Sequence, residues 1–208
     1  EAAAESIQAN SLLARVGGYY HDIGKLTSPE YFMENQKALS KHEHLSPSIS
    51  KMVIINHIKE GMELAKRYRL KPAIADFITQ HHGSGLVYYF YRKALEEIEQ
   101  DEKIMEEGFR YPGPKPASRE TAIVLLADSV EAATRAIAEP QGSRIEEVVH
   151  KVINNKFIDG QLDNCDLTLK DLEKIAKVFI HMLTGIYHGR IHYPEADQLK
   201  EHQHKKHD

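Results

Sequence analysis

At 208 residues, with 41% hydrophobic and 28% charged side chains, the chain has the size and composition of one globular domain with a sizeable core, which excludes gross disorder. No apolar run approaches the roughly 20 residues that cross a bilayer, residues 1–20 lack the basic and apolar regions of a signal peptide, and the single cysteine, Cys165, excludes an internal disulfide or a cysteine-based zinc cluster, so a soluble segment in a reducing compartment such as the cytoplasm is expected. The formal charge of -4 speaks against a DNA- or RNA-binding surface, and a phosphate-bearing substrate would need a local positive charge such as bound metal.

Ser11 precedes Leu12, Leu13, Val16, Tyr19, Tyr20 and Ile23 at spacings of three and four, which predicts a helix that Gly24 terminates, with His21 and Asp22 in its last turn. Ser46 and Pro47 read as an N-cap with proline at the first helical position. That helix runs through Ile49, Met52, Val53, Ile54 and Ile58, carries His57, and breaks or bends at Gly61 before continuing toward Leu70. Pro72 opens the next helix, with Ile74, Phe77 and Ile78 as its apolar stripe, His81 and His82 in its final turn and Gly83 as its stop. Residues 86–106 read as helical and increasingly charged, and Phe109 to Pro116 as a rigid loop with three prolines and a glycine. Ser118 caps a helix from Arg119 to about Ala138 whose stripe includes Ile123, Leu126 and Val130 and which contains Asp128. Ser143 with Glu146 has a capping-box pattern, and Thr168 with Asp171 resembles a weaker cap for a helix from Leu169 to about Tyr187. No alternating strand pattern, internal repeat or linker is visible. The expected fold is therefore all-α, one domain over residues 1–190 followed by a polar tail over 191–208.

Thirteen histidines stand against no tryptophan, and imidazole is the commonest metal ligand. His202, His204 and His207 fall in the polar tail and read as solvated. His150, His181, His188 and His192 sit in no ligand pair and read as structural or exposed. His21 and Asp22 differ. Neighbours on a helix diverge by about 100°, which suits a pair of metals, the imidazole on one and the two Asp22 oxygens bridging both. Taken alone, the dipeptide equally fits a helix end with a solvated carboxylate, His81-His82 a polar helix terminus, and His57 a core histidine. Asp128, among Leu125, Leu126 and Val130, calls for a partner that offsets a costly buried charge, and metal provides one.

Tyr19-Tyr20-His21-Asp22-Ile23-Gly24-Lys25 resembles the signature of HD-domain phosphohydrolases. His57-Ile58-Lys59-Glu60-Gly61, His81-His82-Gly83 and Ala127-Asp128-Ser129-Val130-Glu131-Ala132 follow in the order that superfamily uses. More narrowly, Ala9 to Lys25, Ser46 to Gly61, Ile78 to Tyr91 and Arg110 to Ala133 resemble the cytoplasmic domain of the seven-transmembrane HD hydrolases, the PgpH-like family that degrades cyclic di-AMP. Phe90-Tyr91 and the Arg110 to Pro116 loop are its most specific parts. Similar proteins that cleave cyclic di-GMP carry Gly-Tyr-Pro shortly after the histidine doublet, where this chain has Gly83-Ser84-Gly85-Leu86-Val87-Tyr88.

The resemblance implies a helical bundle with a dinuclear site: His21, Asp22 and Asp128 on one side, His57, His81 and His82 on the other, and Asp22 bridging. Nitrogen and oxygen donors without thiolate suit two divalent transition-metal ions, iron or manganese, with zinc left open. It implies further that cyclic di-AMP is hydrolysed to linear pApA, with slower cleavage to AMP, by a metal-bridged hydroxide. Membrane attachment, at the cytoplasmic face, would come only through segments outside this chain. Lys25 is a candidate for a nonbridging phosphate oxygen, or for complementing a helix dipole. Arg135, seven residues beyond Asp128 on the same helix face, is a candidate for substrate phosphate or for a surface ion pair. Tyr111, with Tyr88, Tyr89 and Tyr91, is a candidate for stacking on adenine or for core packing, and His42 and His44 are assigned to substrate or loop structure before metal. Family members carry a further ligand histidine upstream of Glu1 to Glu5, a position this sequence does not include. A nucleotide sensor that binds without cleaving is therefore carried as an alternative, beside an HD nucleotidase or nucleoside-triphosphate hydrolase with similar metal chemistry.

Overall fold

The computed structural model describes residues 1–32, 41–97, 104–137 and 141–188. They form eight α-helices: α1 (Ala2–Ser6), α2 (Ser11–Tyr20), α3 (Pro47–Arg67), α4 (Pro72–Gln80), α5 (Tyr88–Glu97), α6 (Arg119–Arg135), α7 (Gly142–Ile158) and α8 (Leu169–His188). Short 3-10 turns at Ile23–Thr27, Pro29–Tyr31, Lys41–His44 and Glu106–Phe109 lie between them. Among the described residues, β structure is limited to an isolated antiparallel bridge between Leu86 and Arg110, so the all-α expectation holds. Also among those residues, no helix is long and apolar enough to cross a membrane. The 191–208 tail, with His192, His202, His204 and His207, lies outside the described residues.

The helix starts follow local chemistry. Ser46 accepts a hydrogen bond from the Ile49 amide and Pro47 occupies the first turn, where its missing N–H costs nothing. Ser118 and Thr121 satisfy one another's backbone donors in a capping box at α6, and Thr168 and Asp171 do the same at α8. Two expected starts differ. Asn10, not Ser11, caps α2 by accepting from the Leu13 amide. The Ser143-Glu146 box does not form, because α7 begins two residues earlier than that cap requires, at Gly142, and Gln141 is its N-cap without a side-chain bond. Of residues 86–106, only Tyr88–Glu97 is α-helical among those described. Helix α6 ends at Arg135, and Ala138 is outside the described residues.

One core joins Ala3, Ala4 and Ile7 with Ile123, Leu125, Leu126 and Val130 of α6, Ile145, Val149 and Ile153 of α7, and Leu172, Ile175 and Ala176 of α8. A second, smaller one joins Ile58 of α3, Val87, Phe90 and Ala94 around α5, and Phe109 and Tyr111. Helix α4 lies between them, packing on α2, α3 and α6. Its last residue, Gln80, accepts from the Ala117 amide at 2.9 Å, which ties the end of α4 to the start of α6.

Gly24 does not end α2; the helix has already stopped at Tyr20, and Gly24 lies buried in the following 3-10 turn. A Cβ at this position would lie 1.8 Å from the His57 carbonyl oxygen and 2.5 Å from the Gly61 nitrogen, so only glycine lets the turn rest on α3. Gly61 does not break α3, which runs continuously from Pro47 to Arg67; it is the other half of this contact. Gly83, at φ +55, lies in the turn after α4, which ends at Gln80 with His81 as its C-cap, so His81 and His82 follow the helix rather than form its final turn. Gly24→Ala is therefore expected to cost about 2–3 kcal/mol in a denaturant unfolding curve, since backbone must move to admit the methyl. Gly18→Ala, on an open helical face with nothing within 4 Å, is expected to be neutral or to stabilise by up to about 1 kcal/mol. Equal losses at both positions would contradict this assignment.

Candidate metal centre

Four helices deliver side chains to one place. His21 is the C-cap of α2 and Asp22 the residue after it. His57 lies midway along α3, His81 is the C-cap of α4 with His82 next to it, and Asp128 is on α6. Around Asp22 Oδ1 stand His57 Nε2 at 3.4 Å and His81 Nε2 at 3.5 Å. Asp22 Oδ2 is 3.2 Å from His21 Nε2, which in turn is 4.0 Å from Asp128 Oδ1, while Asp128 Oδ2 is 3.6 Å from His82 Nδ1. Ligand atoms of Asp22, His57, His81 and His82 form one compact group and those of His21, Asp22 and Asp128 a second, each within 4.8 Å, with Asp22 common to both. All six side chains singled out from the sequence are thus brought together. Asp128 sits beside Leu125 and Leu126, which are fully buried, but its own carboxylate keeps 22% exposure, at the edge of the core rather than inside it.

The orientation of the imidazoles follows from helix geometry. A side chain near the end of a helix can reach back to carbonyls three or four residues before it. His21 Nδ1 meets the Gly18 carbonyl at 2.8 Å, His57 Nδ1 that of Ile54 at 2.5 Å, and His81 Nδ1 those of Phe77 and Ile78 at 2.9 and 3.0 Å. Donating Nδ1–H to a carbonyl fixes the tautomer, so each neutral ring presents an Nε2 lone pair. The Nε2 atoms of His57 and His81 are 3.1 Å apart, and Asp22 Oδ1 beside them is buried without a hydrogen-bond partner. Lone pairs facing each other repel, and a cation among them would relieve that repulsion.

At His57 and His82 a proton is a poor occupant at neutral pH, whereas at His21 burial is outweighed by Asp22 and Asp128, which raise its pKa. Burial, and secondarily His81, pull His57 down to about 4, and burial with the same neighbours holds His82 well below the ordinary imidazole value. Burial works against charge on Asp22, but the adjacent His21 and His81 rings and the charge of Lys25 outweigh it and hold the carboxyl below the usual range. Asp128 is pushed up, chiefly by burial. Neutral imidazoles around an ionised carboxylate are what a transition-metal cation binds, and the orphaned Asp22 oxygen fits that use, so the cluster can hold metal ions.

The remaining candidates fall in different places. Lys25 Nζ is 2.6 Å from Asp22 Oδ2 and lies over the Phe32 ring. Arg135 pairs on the surface with Glu131, Nη2 to Oε2 at 2.6 Å. Tyr111 is buried, its ring stacked on His82 at 4.2 Å and 18°, whereas Tyr88 and Tyr89 are exposed and Tyr91 packs against the smaller core. His42 is buried in loop structure, bonded through Nε2 to the Tyr31 carbonyl and tilted against Phe90, while His44 is exposed. His181 is exposed and His150 half-buried. Sequence reasoning missed the Arg110, Asp159, Gln161 and Ser84 network and Lys156 of α7 beside the His82 turn, whose separation in sequence gave no signal.

Metal binding to this cluster should appear as stability. Protein stripped by a chelator is expected to gain about 2.7 kcal/mol on adding manganese at a hundredfold excess over its dissociation constant, read from the unfolding midpoint. His57→Ala should lose most of that gain. An unfolding midpoint indifferent to metal would count against the site.

Residues 1–133 match the family model for the HD domain. A Bacillus subtilis protein described as cyclic-di-AMP phosphodiesterase PgpH is 50% identical over 94% of this chain, and one of the same description from Listeria monocytogenes is 44% identical over 94%. The chain spans about a quarter, 27%, of the length of these curated relatives. The crystal structure of the Listeria monocytogenes PgpH HD domain in complex with cyclic di-AMP has a TM-score of 0.84 and 43% identity, covering 89% of this chain and 86% of that one. The match over more than half of its length, with the histidine and aspartate cluster assembled as described, makes this chain a member of the HD-domain family.

Proposed function

We propose that the chain is the catalytic domain of a cyclic di-AMP phosphodiesterase that hydrolyses its substrate to linear pApA. The observation that carries this reading is Asp22, shared between two groups of ligand atoms. The similarity to HD domains described as acting on or binding cyclic di-AMP supports the choice of substrate.

In this reading His21, Asp22 and Asp128 hold one divalent ion and His57, His81 and His82 the other, with iron or manganese favoured by donors that include no thiolate. When bound, such a pair supplies Lewis acidity at the phosphate and a water of lowered pKa. The chain's own residues do the rest. Carbonyls of Gly18, Ile54, Phe77 and Ile78 hold the three rings by Nδ1, so they need no reorganisation to keep Nε2 on the centre. Lys25, beside Asp22 Oδ2, is placed to offset negative charge developing on a nonbridging phosphate oxygen. Arg135 and Tyr111 are proposed substrate neighbours, Arg135 by exchanging Glu131 for phosphate and Tyr111 by holding His82 in its stacked orientation. Water adds at phosphorus, the bond to one 3′ oxygen breaks, and that oxygen leaves with a proton, which gives pApA.

The proposed location is the cytoplasmic face of the cell membrane, attached through segments outside this chain. The much greater length of the relatives supports this.

Purified protein with manganese or iron is expected to convert cyclic di-AMP to pApA. Rapid turnover of nucleoside triphosphates with cyclic di-AMP untouched would reject the substrate, and binding of cyclic di-AMP with no product would favour a sensor. Asp22→Ala is expected to lose bound metal and to slow turnover by more than about 100-fold, beyond what removal of a mere ligand-orienting neighbour costs. Full metal content with full activity in that variant would contradict the bridging role.

A further inference from the structure

Lys156, in the last turn of α7, brings an ammonium to the edge of the metal centre. A Cβ added to Gly85 would lie 3.0 Å from Lys156 Nζ and 3.0 Å from the His82 carbonyl oxygen. The ammonium therefore hangs directly over the turn that follows the His81-His82 doublet. Burial lowers its pKa, while Asp128 and Asp159 act in the other direction, which places it in the field of both carboxylates.

Neither carboxylate neutralises it directly. Asp159 is committed to Arg110, at 2.7 and 3.1 Å, and to Gln161, at 2.9 Å. Arg110 is itself fixed by the Ser84 carbonyl at 2.9 Å and by Glu106, so this network has no reason to open. Asp128 turns its oxygens to His21 and His82. Among the described residues, the Lys156 ammonium makes no hydrogen bond and no ion pair within 4.0 Å, although its backbone carbonyl accepts from the Gln161 amide. Withdrawing an ammonium from water without a partner is costly, and a fold that keeps one beside metal ligands keeps it for an anion. Lys25, by contrast, is already closed on Asp22. A cyclic dinucleotide carries two phosphodiesters, so positive charge beyond that of the metal pair has an obvious counterpart.

We infer that Lys156 binds a phosphate oxygen of the substrate on the Asp128 and His82 side of the centre. The choice of cyclic di-AMP as that substrate rests on the function proposed above. The claim that Lys156 binds phosphate does not.

The test uses manganese-loaded wild type, Lys156→Met and Lys156→Arg, with AMP as a simple phosphate probe and cyclic di-AMP as substrate. Lys156→Met is expected to keep its metal and an unfolding midpoint no lower than wild type, because an unpartnered charge has been removed. It should bind AMP at least about 10-fold more weakly and raise KM for cyclic di-AMP by a similar factor, in line with the loss of a charge-assisted hydrogen bond. Lys156→Arg should recover most of both. Weaker AMP binding in Lys156→Met, with cyclic di-AMP untouched by wild type, would keep the lysine's role and reject the substrate. The inference is overturned if Lys156→Met binds AMP as tightly as wild type, if wild type binds no AMP, or if the variant loses metal and stability together.

Discussion

Two imidazoles meeting through their Nε2 atoms at 3.1 Å, with a buried carboxylate oxygen beside them that lacks a hydrogen-bond donor, form an arrangement that a bound cation would reconcile. Everything else around the site enforces it. Nδ1 hydrogen bonds to carbonyls on α2, α3 and α4 prevent the rings from turning away, and burial keeps His57 and His82 from accepting protons instead. Asp22 is common to both groups of candidate ligand atoms, which is the placement a bridging carboxylate would need.

The bundle turns helix ends into candidate ligands. His21 and His81 are both C-caps, where a side chain folds back on the last free carbonyls while its far nitrogen points out of the helix. His57 and Asp128 come from helix interiors and reach the same point because α3 and α6 lie on either side of α4. Packing sets the spacing. The Gly24 turn rests on the carbonyl of His57, so the loop carrying Asp22 and the helix carrying His57 are held at backbone contact. A two-residue shift in sequence thus becomes a fixed ligand separation, and the larger core beneath Asp128 anchors the opposite wall.

Much of this was legible in the sequence because it is local. Ser46-Pro47, Ser118, Thr168-Asp171 and Gly83 mark helix ends through bonds within a few residues, and the chemistry of His21-Asp22, His81-His82 and Asp128 is carried by residue type. What was not legible is tertiary. Gly24 looks like a helix stop, since nothing nearby in sequence announces that α3 will lie against it. Ser143 and Glu146 have the right spacing for a box, but the helix starts two residues sooner and moves Ser143 off the cap. Lys156 carries no motif in the sequence. Its meaning depends on Asp159 being claimed by Arg110, 49 residues earlier in the chain.

The most direct measurement is anomalous diffraction from crystals of metal-loaded protein, collected on either side of the manganese or iron absorption edge. The account requires two peaks about 3.5–4 Å apart, with Asp22 between them, His57, His81 and His82 around one, and His21 and Asp128 around the other. A single peak, or metal bound away from Asp22, would contradict it.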